Sequence, residues 1–224
     1  MNPIGSVDHA VVLAGGRSTR MGQPKALLTL GQETLVERLI RGLGGVFGSV
    51  ALSTAELDES LAALPGVSRC YADQRPDRGP LEGVRSSLQA MTADHAFFVA
   101  VDSPVIWEPL VRVLVRHALD AGRGAVPRID GRFEPGFAVY GRALLEDIEA
   151  AVENGERRLQ ALAGRPGVAV VDLDAPGVLE EVVAASESRS MPRELFWSVN
   201  TPEDYDRLVE AFTAGAVAAD PIIF

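Results

Sequence analysis

Short apolar runs of strand length alternate with segments of helical period along almost the whole chain, and this alternation limits the fold more than any other feature. HAVVLAGG (9–16) is apolar and ends in glycines, so it reads as a buried strand. The following segment, 34–45, places Leu35, Leu39 and Leu43 on one helical face and stops at glycines. Further strands are expected at 49–54, 67–73, 96–103, 124–129, 136–141 and 167–174, and further helices at 80–91, 108–122, 143–155 and 201–212. In the last helix Thr201 suits the N-cap, Pro202 the first turn, and Asp204 the capping acid. Asp130-Gly131 suits a tight hairpin turn. Strands alternating with helices imply an α/β fold: a Rossmann-like three-layer sandwich with a mainly parallel sheet and helices on both faces. Residues 1–224 are expected to form one domain, with 213–224 as a weakly patterned loose tail.

Composition excludes several function classes. The chain carries 21 Lys+Arg against 31 Asp+Glu, a net charge of −10, which argues against nucleic acid and against anionic membrane surfaces. Its single cysteine, Cys70, rules out an internal disulfide and a Cys-rich zinc site. His9, His95 and His117 are scattered, so no His-based metal site is expected. Ser18 has no His and Asp at triad spacing. No signal-peptide pattern and no apolar run of membrane-spanning length is present, so a cytoplasmic location is expected.

Net charge hides a local exception. From residue 9 to residue 32 there is no Asp or Glu, and this 24-residue window carries +3 through Arg17, Arg20 and Lys25. It also holds Gly15, Gly16 and Gly22, placed after the first strand. In open α/β sheets ligands bind beyond the carboxyl ends of the strands. Glycines let backbone N–H groups approach anionic oxygens, and cations neutralise them. A polyphosphate fits such a loop. The P-loop pattern fails because Gln23-Pro24 separates Gly22 from Lys25, and the dinucleotide fingerprint fails because the first glycines are adjacent. A Rossmann dehydrogenase is therefore disfavoured.

The loop LAGGRSTRMGQPK (13–25) resembles the signature loop of nucleotidyltransferases, and its Gly-Gly pair resembles the molybdenum cofactor guanylyltransferases. GPLEGVRSSL (79–88), EPGFAVYGRALL (134–145), NGERRLQAL (154–162) and WSVNTPEDY (197–205) are similar to segments of the same family, in the same order. The resemblance implies transfer of GMP from GTP to molybdopterin, giving molybdopterin guanine dinucleotide and pyrophosphate. It implies Mg2+ as cofactor, with transient contact to a molybdoenzyme or chaperone as a further partner. Leu13, Ala14 and Gly15 would meet the guanine through main-chain groups. Gly16 and Gly22 would shape the phosphate loop, and Arg20 and Lys25 would hold the β- and γ-phosphates. Asp102 matches the family acid that binds Mg2+ and nucleotide, and Asp73 an acid that contacts the nucleotide. Asn200 matches an Asn of the family's ending. The first half of the chain would then mainly serve GTP, and the second half, including Glu156, Arg157 and Arg158, the pterin.

Plainer readings of the same residues stand beside these. Asp102 could cap the next turn, Asp73 could be a solvated loop acid near Asp77, and 156–158 could be a charged helix end. Cys70, Trp107 and Trp197 read as packing residues. The chain also departs from the family: Ser53 and Ala55 stand where Asn-x-Asn is common, and Ser198 where Asn is preferred. These departures bear on base choice and pterin contacts. They keep open a cytidylyltransferase, a sugar-phosphate nucleotidyltransferase, or a GTP-binding homologue without catalysis.

Overall fold

A computed structural model describes residues 6–15, 22–184, 191–192, 195–215 and 222–223. The strands are β1 (His9–Leu13), β2 (Thr29–Leu30), β3 (Glu33–Thr34), β4 (Ser49–Thr54), β5 (Arg69–Ala72), β6 (His95–Ala100), β7 (Ile106–Trp107), β8 (Gly124–Ile129), β9 (Arg132–Phe133), β10 (Phe137–Gly141), β11 (Val168–Asp172) and β12 (Ile222–Ile223). The helices are α1 (Leu35–Gly44), α2 (Glu59–Ala62), α3 (Pro80–Ala90), α4 (Glu108–Ala121), α5 (Leu145–Glu153), α6 (Val178–Ala184) and α7 (Pro202–Thr213).

The central sheet runs β11-β8-β10-β6-β1-β4-β5, with β9 paired to β8. Its pairs are parallel except those made by β10 with β6 and β8, and by β9 with β8. Alternate residues divide the core into two layers. Ala10, Val12, Phe97 and Val99 face the layer built by α1, α4, α6 and α7; Val11, Leu13, Ala96 and Phe98 face α3 and α5. Period-two burial on both sides is what a sheet covered by helices on both faces requires.

Local chemistry sets the element ends. Thr34 and Glu37 close a capping box on α1, and Thr201 and Asp204 close one on α7 with Pro202 in its first turn. Gly122 stops α4 in the left-handed conformation. Asp130 and Gly131 both take positive φ, as a type I′ turn between β8 and β9 demands. The chain then leaves β9 and inserts β10 between β8 and β6, so GAVPRI and FAVYG are neighbours but not the two arms of that turn. α2, α6, the β2–β3 ribbon and β7 were not expected; each is seven residues or fewer, too short for a periodic pattern. The end of the chain differs from a loose tail where it is described: α7 extends to Thr213, and β12 pairs in parallel with β7.

β1 feeds outward to β4 and β5, while β6 starts the other half of the sheet on the opposite side of β1. The switch in direction falls between β1 and β6, which is where a ligand crevice forms in an open α/β sheet. Among the described residues no helix is long and apolar enough to cross a membrane.

Candidate active site

Beyond the carboxyl end of β1 the chain turns through Leu13, Ala14 and Gly15. The Ala14 amide donates to the Ser53 carbonyl at 2.8 Å. A Cβ on Gly15 would sit 2.9 Å from the Ala55 nitrogen, so glycine is what lets the loop cross the end of β4. Gly16 and Arg20 lie outside the described residues. Gly22 has φ of +70° and lines, with Gln23, Pro24 and Leu57, an adjoining cavity of about 960 Å³ that shares Ala14, Gly15, Ala26, Ala55 and Asp77 with the crevice at the switch point.

Lys25 re-enters on a short 3-10 turn. Its Nζ donates to Asp102 Oδ2 at 2.7 Å and to Asn200 Oδ1 at 2.7 Å. Asp102 lies two residues past the end of β6 rather than in the strand, in the turn after Ala100. Its carbonyl accepts from the Val199 amide at 3.0 Å, so two distant loops meet there. The Asn200 amide is oriented from both sides: Nδ2 donates to Ser198 Oγ at 3.0 Å, and the backbone N–H donates to Asp204 Oδ2 at 3.0 Å. Tyr205 Oη donates to the Thr29 carbonyl at 2.6 Å and fixes α7 beside the first loop. Ser198, noted as a departure, thus aims the amide oxygen of Asn200 at Lys25.

One cavity of about 450 Å³ at the switch point is lined by Leu13, Ala14, Gly15, Lys25, Ser53, Ala55, Asp73, Asp77, Gly79, Gly83, Asp102, Arg157 and Leu159, among others. The first loop, the end of β5 and the acid after β6 therefore converge on one cavity. Asn200 reaches the cavity only through Lys25. Arg157 and Leu159, from the half of the chain assigned to the pterin, line the same cavity as Asp73. The reason is backbone pairing. The Leu81 amide at the start of α3 donates to the Arg157 carbonyl at 3.3 Å, and Gly79, with φ of +77°, leaves room for it. A Cβ on Gly79 would lie 2.9 Å from that carbonyl. Glu156 Oε1 accepts both the Arg157 and Arg158 amides at 2.8 Å, which turns the chain towards the crevice. Gly79, Gly83 and Asp77 were not singled out as site residues; Gly79-Pro80 at a helix start was the available signal.

Ser53 is buried on the cavity floor. A Cβ on Gly83 would lie 2.7 Å from Ser53 Oγ, so glycine lets α3 pack directly on the end of β4. Cys70 is half-buried beside Thr54, and Trp107 is fully buried, as packing residues should be.

Asp73 is held by its amide, which donates to the Thr54 carbonyl at 2.9 Å. Burial, reinforced by the nearby Glu82 charge and offset by Arg85, pushes its carboxyl up to about 6. The sign of the linkage is that of an acid whose folded value is raised. The ionised carboxylate opposes folding above pH 6, and that penalty fades as pH falls towards the unfolded value of 3.8. Asp73→Asn is therefore expected to raise the melting temperature at pH 7.5, with the gain shrinking between pH 6 and pH 4. Thermal melts across that range check it, and a gain that grew on acidification would overturn it.

A crevice at the switch point of a parallel sheet, with a glycine loop, a lysine and convergent carboxylates, defines an α/β domain of the nucleotidyltransferase class. The profile of the MobA-like NTP transferase domain matches residues 10–170. The chain is 34% identical over 216 residues to the probable molybdenum cofactor guanylyltransferase of Methanosarcina mazei, covering 91% of both chains. It is 33% identical over 208 residues to the molybdenum cofactor guanylyltransferase of Sinorhizobium fredii, covering 90% of both. The crystal structure of molybdopterin-guanine dinucleotide biosynthesis protein A from Archaeoglobus fulgidus superposes with a TM-score of 0.75 at 20% identity, covering 92% of this chain and 99% of that one. This chain belongs to the MobA-like NTP transferase family.

Proposed function

We propose that this protein transfers GMP from GTP to molybdopterin, giving molybdopterin guanine dinucleotide and pyrophosphate. The observation that carries the reading is the junction of Lys25, Asp102 and Asn200 at the mouth of the switch-point cavity. The relatives' names supply a guanylyl group and the molybdenum cofactor, which supports GTP and molybdopterin as the substrates. An oxygen of the terminal phosphate of molybdopterin attacks the α-phosphorus of GTP. The new P–O bond forms as the α–β bridge breaks, and the electron pair leaves on pyrophosphate. The attacking group is already anionic, so the protein has to position it and neutralise charge rather than remove a proton.

Lys25, with Arg20, would hold the β- and γ-phosphates and stabilise the leaving pyrophosphate. Leu13, Ala14 and Gly15 would meet the guanine along the loop, and Gly16 and Gly22 would shape the turn around the phosphates. Asp73 would reach the nucleotide from β5. Mg2+ fits the donor set: it is commonly held by one or two carboxylates plus phosphates and water, and Asp102 supplies one at the mouth of the cavity. When bound, it would neutralise phosphate oxygens. A cytoplasmic setting and transient contact with a molybdoenzyme or chaperone belong to the same proposal.

The test is pyrophosphate release from each of the four nucleoside triphosphates, with and without molybdopterin. GTP with molybdopterin is expected to be the productive pair. Faster turnover with CTP would replace the guanylyl reading by a cytidylyl one, which Ser53 and Ala55 would then explain. Binding of GTP with no turnover would leave a homologue without catalysis.

A further inference from the structure

Behind the cavity wall lies an ion pair that touches no part of the cavity itself. Glu82 and Arg85, on the first two turns of α3, have side chains 0% and 4% exposed. Arg85 forks onto Glu82, with Nε donating to Oε2 at 2.8 Å and Nη2 to Oε1 at 2.6 Å. Two ions taken out of water are costly, and a buried pair of this kind gives little or no net stability over an apolar pair of the same size. A pair that adds so little to stability calls for another role.

Two of their remaining hydrogen bonds go to the segment that carries the cavity acids, while Arg85 Nη1 also donates to Gln89 Oε1 within α3 at 2.8 Å. Glu82 Oε1 accepts the backbone N–H of Arg75 at 3.1 Å and the hydroxyl of Ser86 at 2.9 Å. Ser86 Oγ accepts the Gln74 amide at 3.1 Å, and Arg85 Nη2 donates to Gln74 Oε1 at 3.1 Å. Arg85 Nη1 donates to Glu149 Oε2 on α5 at 3.2 Å, and Glu149 also pairs with the Arg75 guanidinium. The two amides that follow Asp73 are thus fastened to α3 by side chains rather than by a sheet ladder. Asp73 is anchored from the other side through Thr54, and Asp77 and Gly79 complete the wall.

We infer that Glu82 and Arg85 are positioning residues for the nucleotide: the buried pair fixes residues 73–79 so that Asp73 and Gly79 hold their places in the wall of the cavity. The inference rests on the nucleotide-binding reading above. The pair acts on binding, because Lys25 and Asp102 are attached to other elements and keep their geometry without it.

Glu82→Gln/Arg85→Met removes both charges together and so avoids leaving one buried ion unpaired. Its melting temperature is expected to stay near that of the parent, while KM for GTP rises about ten-fold or more with kcat within about two-fold. KM for molybdopterin should not move. Arg85→Lys, which keeps the charge but loses the planar fork, is expected to give a smaller rise in KM for GTP and reads the same role should the double variant fold poorly. A merely structural pair would lower the melting temperature without selective loss of GTP. If the parent takes none of the four nucleotides, the nucleotide reading fails and this inference with it. If the parent turns over GTP and the folded double variant has an unchanged KM for GTP, the positioning role alone is overturned.

Discussion

Lys25→Ala is expected to lower the rate of pyrophosphate release by about 10²–10³, the loss seen when one preorganised charge-stabilising contact is removed from a transition state. The lysine ammonium carries two short hydrogen bonds, to Asp102 and Asn200, and its side chain is only 18% exposed. A cation held in that way is aimed before the substrate arrives, so little ordering remains to be done during reaction. If its main partner in turnover is the departing pyrophosphate, the loss falls on kcat more than on KM for GTP. Lys25→Arg keeps the charge but places a planar fork in a site shaped for a point charge, and is expected to recover only part of the rate. Steady-state kinetics at saturating GTP decide the matter. A Lys25→Ala protein with unchanged kcat would remove the lysine from the chemistry.

The elements carrying this lysine and its partners were legible to different degrees. Thr201, Pro202 and Asp204 announced α7 because a capping box depends on residues three apart, which a single chain displays. The strands around the crevice were legible because both faces of the sheet are covered, giving apolar runs at 50–52 and 96–100. Asp102 was legible as the acid after the most apolar run, though the strand itself ends at Ala100. The Asn200 contact with Lys25 spans 175 positions and depends on how α7 docks beside Thr29, which no local pattern encodes.

Arg157 shows the same limit more sharply. Its charge and its neighbours Glu156 and Arg158 were visible, but its place in the lining of the cavity that also holds Asp73 was not. What brings it there is an amide–carbonyl bond between Leu81 and Arg157, and backbone pairing leaves no trace in residue type. The Glu82–Arg85 pair was hidden for another reason. An acid and a base three apart on a helix read as a solvated surface pair, and only burial shows that they are not. Ser53 and Ser198 could be read only as departures; the structure gives Ser198 a positive task, the orientation of Asn200.

Asp102→Ala is expected to have the largest effect of all, abolishing Mg2+-dependent turnover, while Asp102→Asn separates the two tasks of the carboxylate. Asparagine retains an oxygen that can accept from the Lys25 ammonium, so the junction with Asn200 should persist and the fold should hold. What it removes is the negative charge, which a hard divalent cation requires and a lysine hydrogen bond does not. GTP affinity without Mg2+ should therefore stay the same or increase in Asp102→Asn, because Lys25 then faces the phosphates less neutralised. On the proposal that Asp102 holds Mg2+, the affinity of the parent for GTP should rise with Mg2+, and that rise should be lost in the variant. Calorimetric titration with GTP at zero and saturating Mg2+ distinguishes the cases. If Asp102→Asn retained parental turnover with an unchanged Mg2+ requirement, the carboxylate would be a structural acceptor for Lys25 and the metal would have to be held elsewhere.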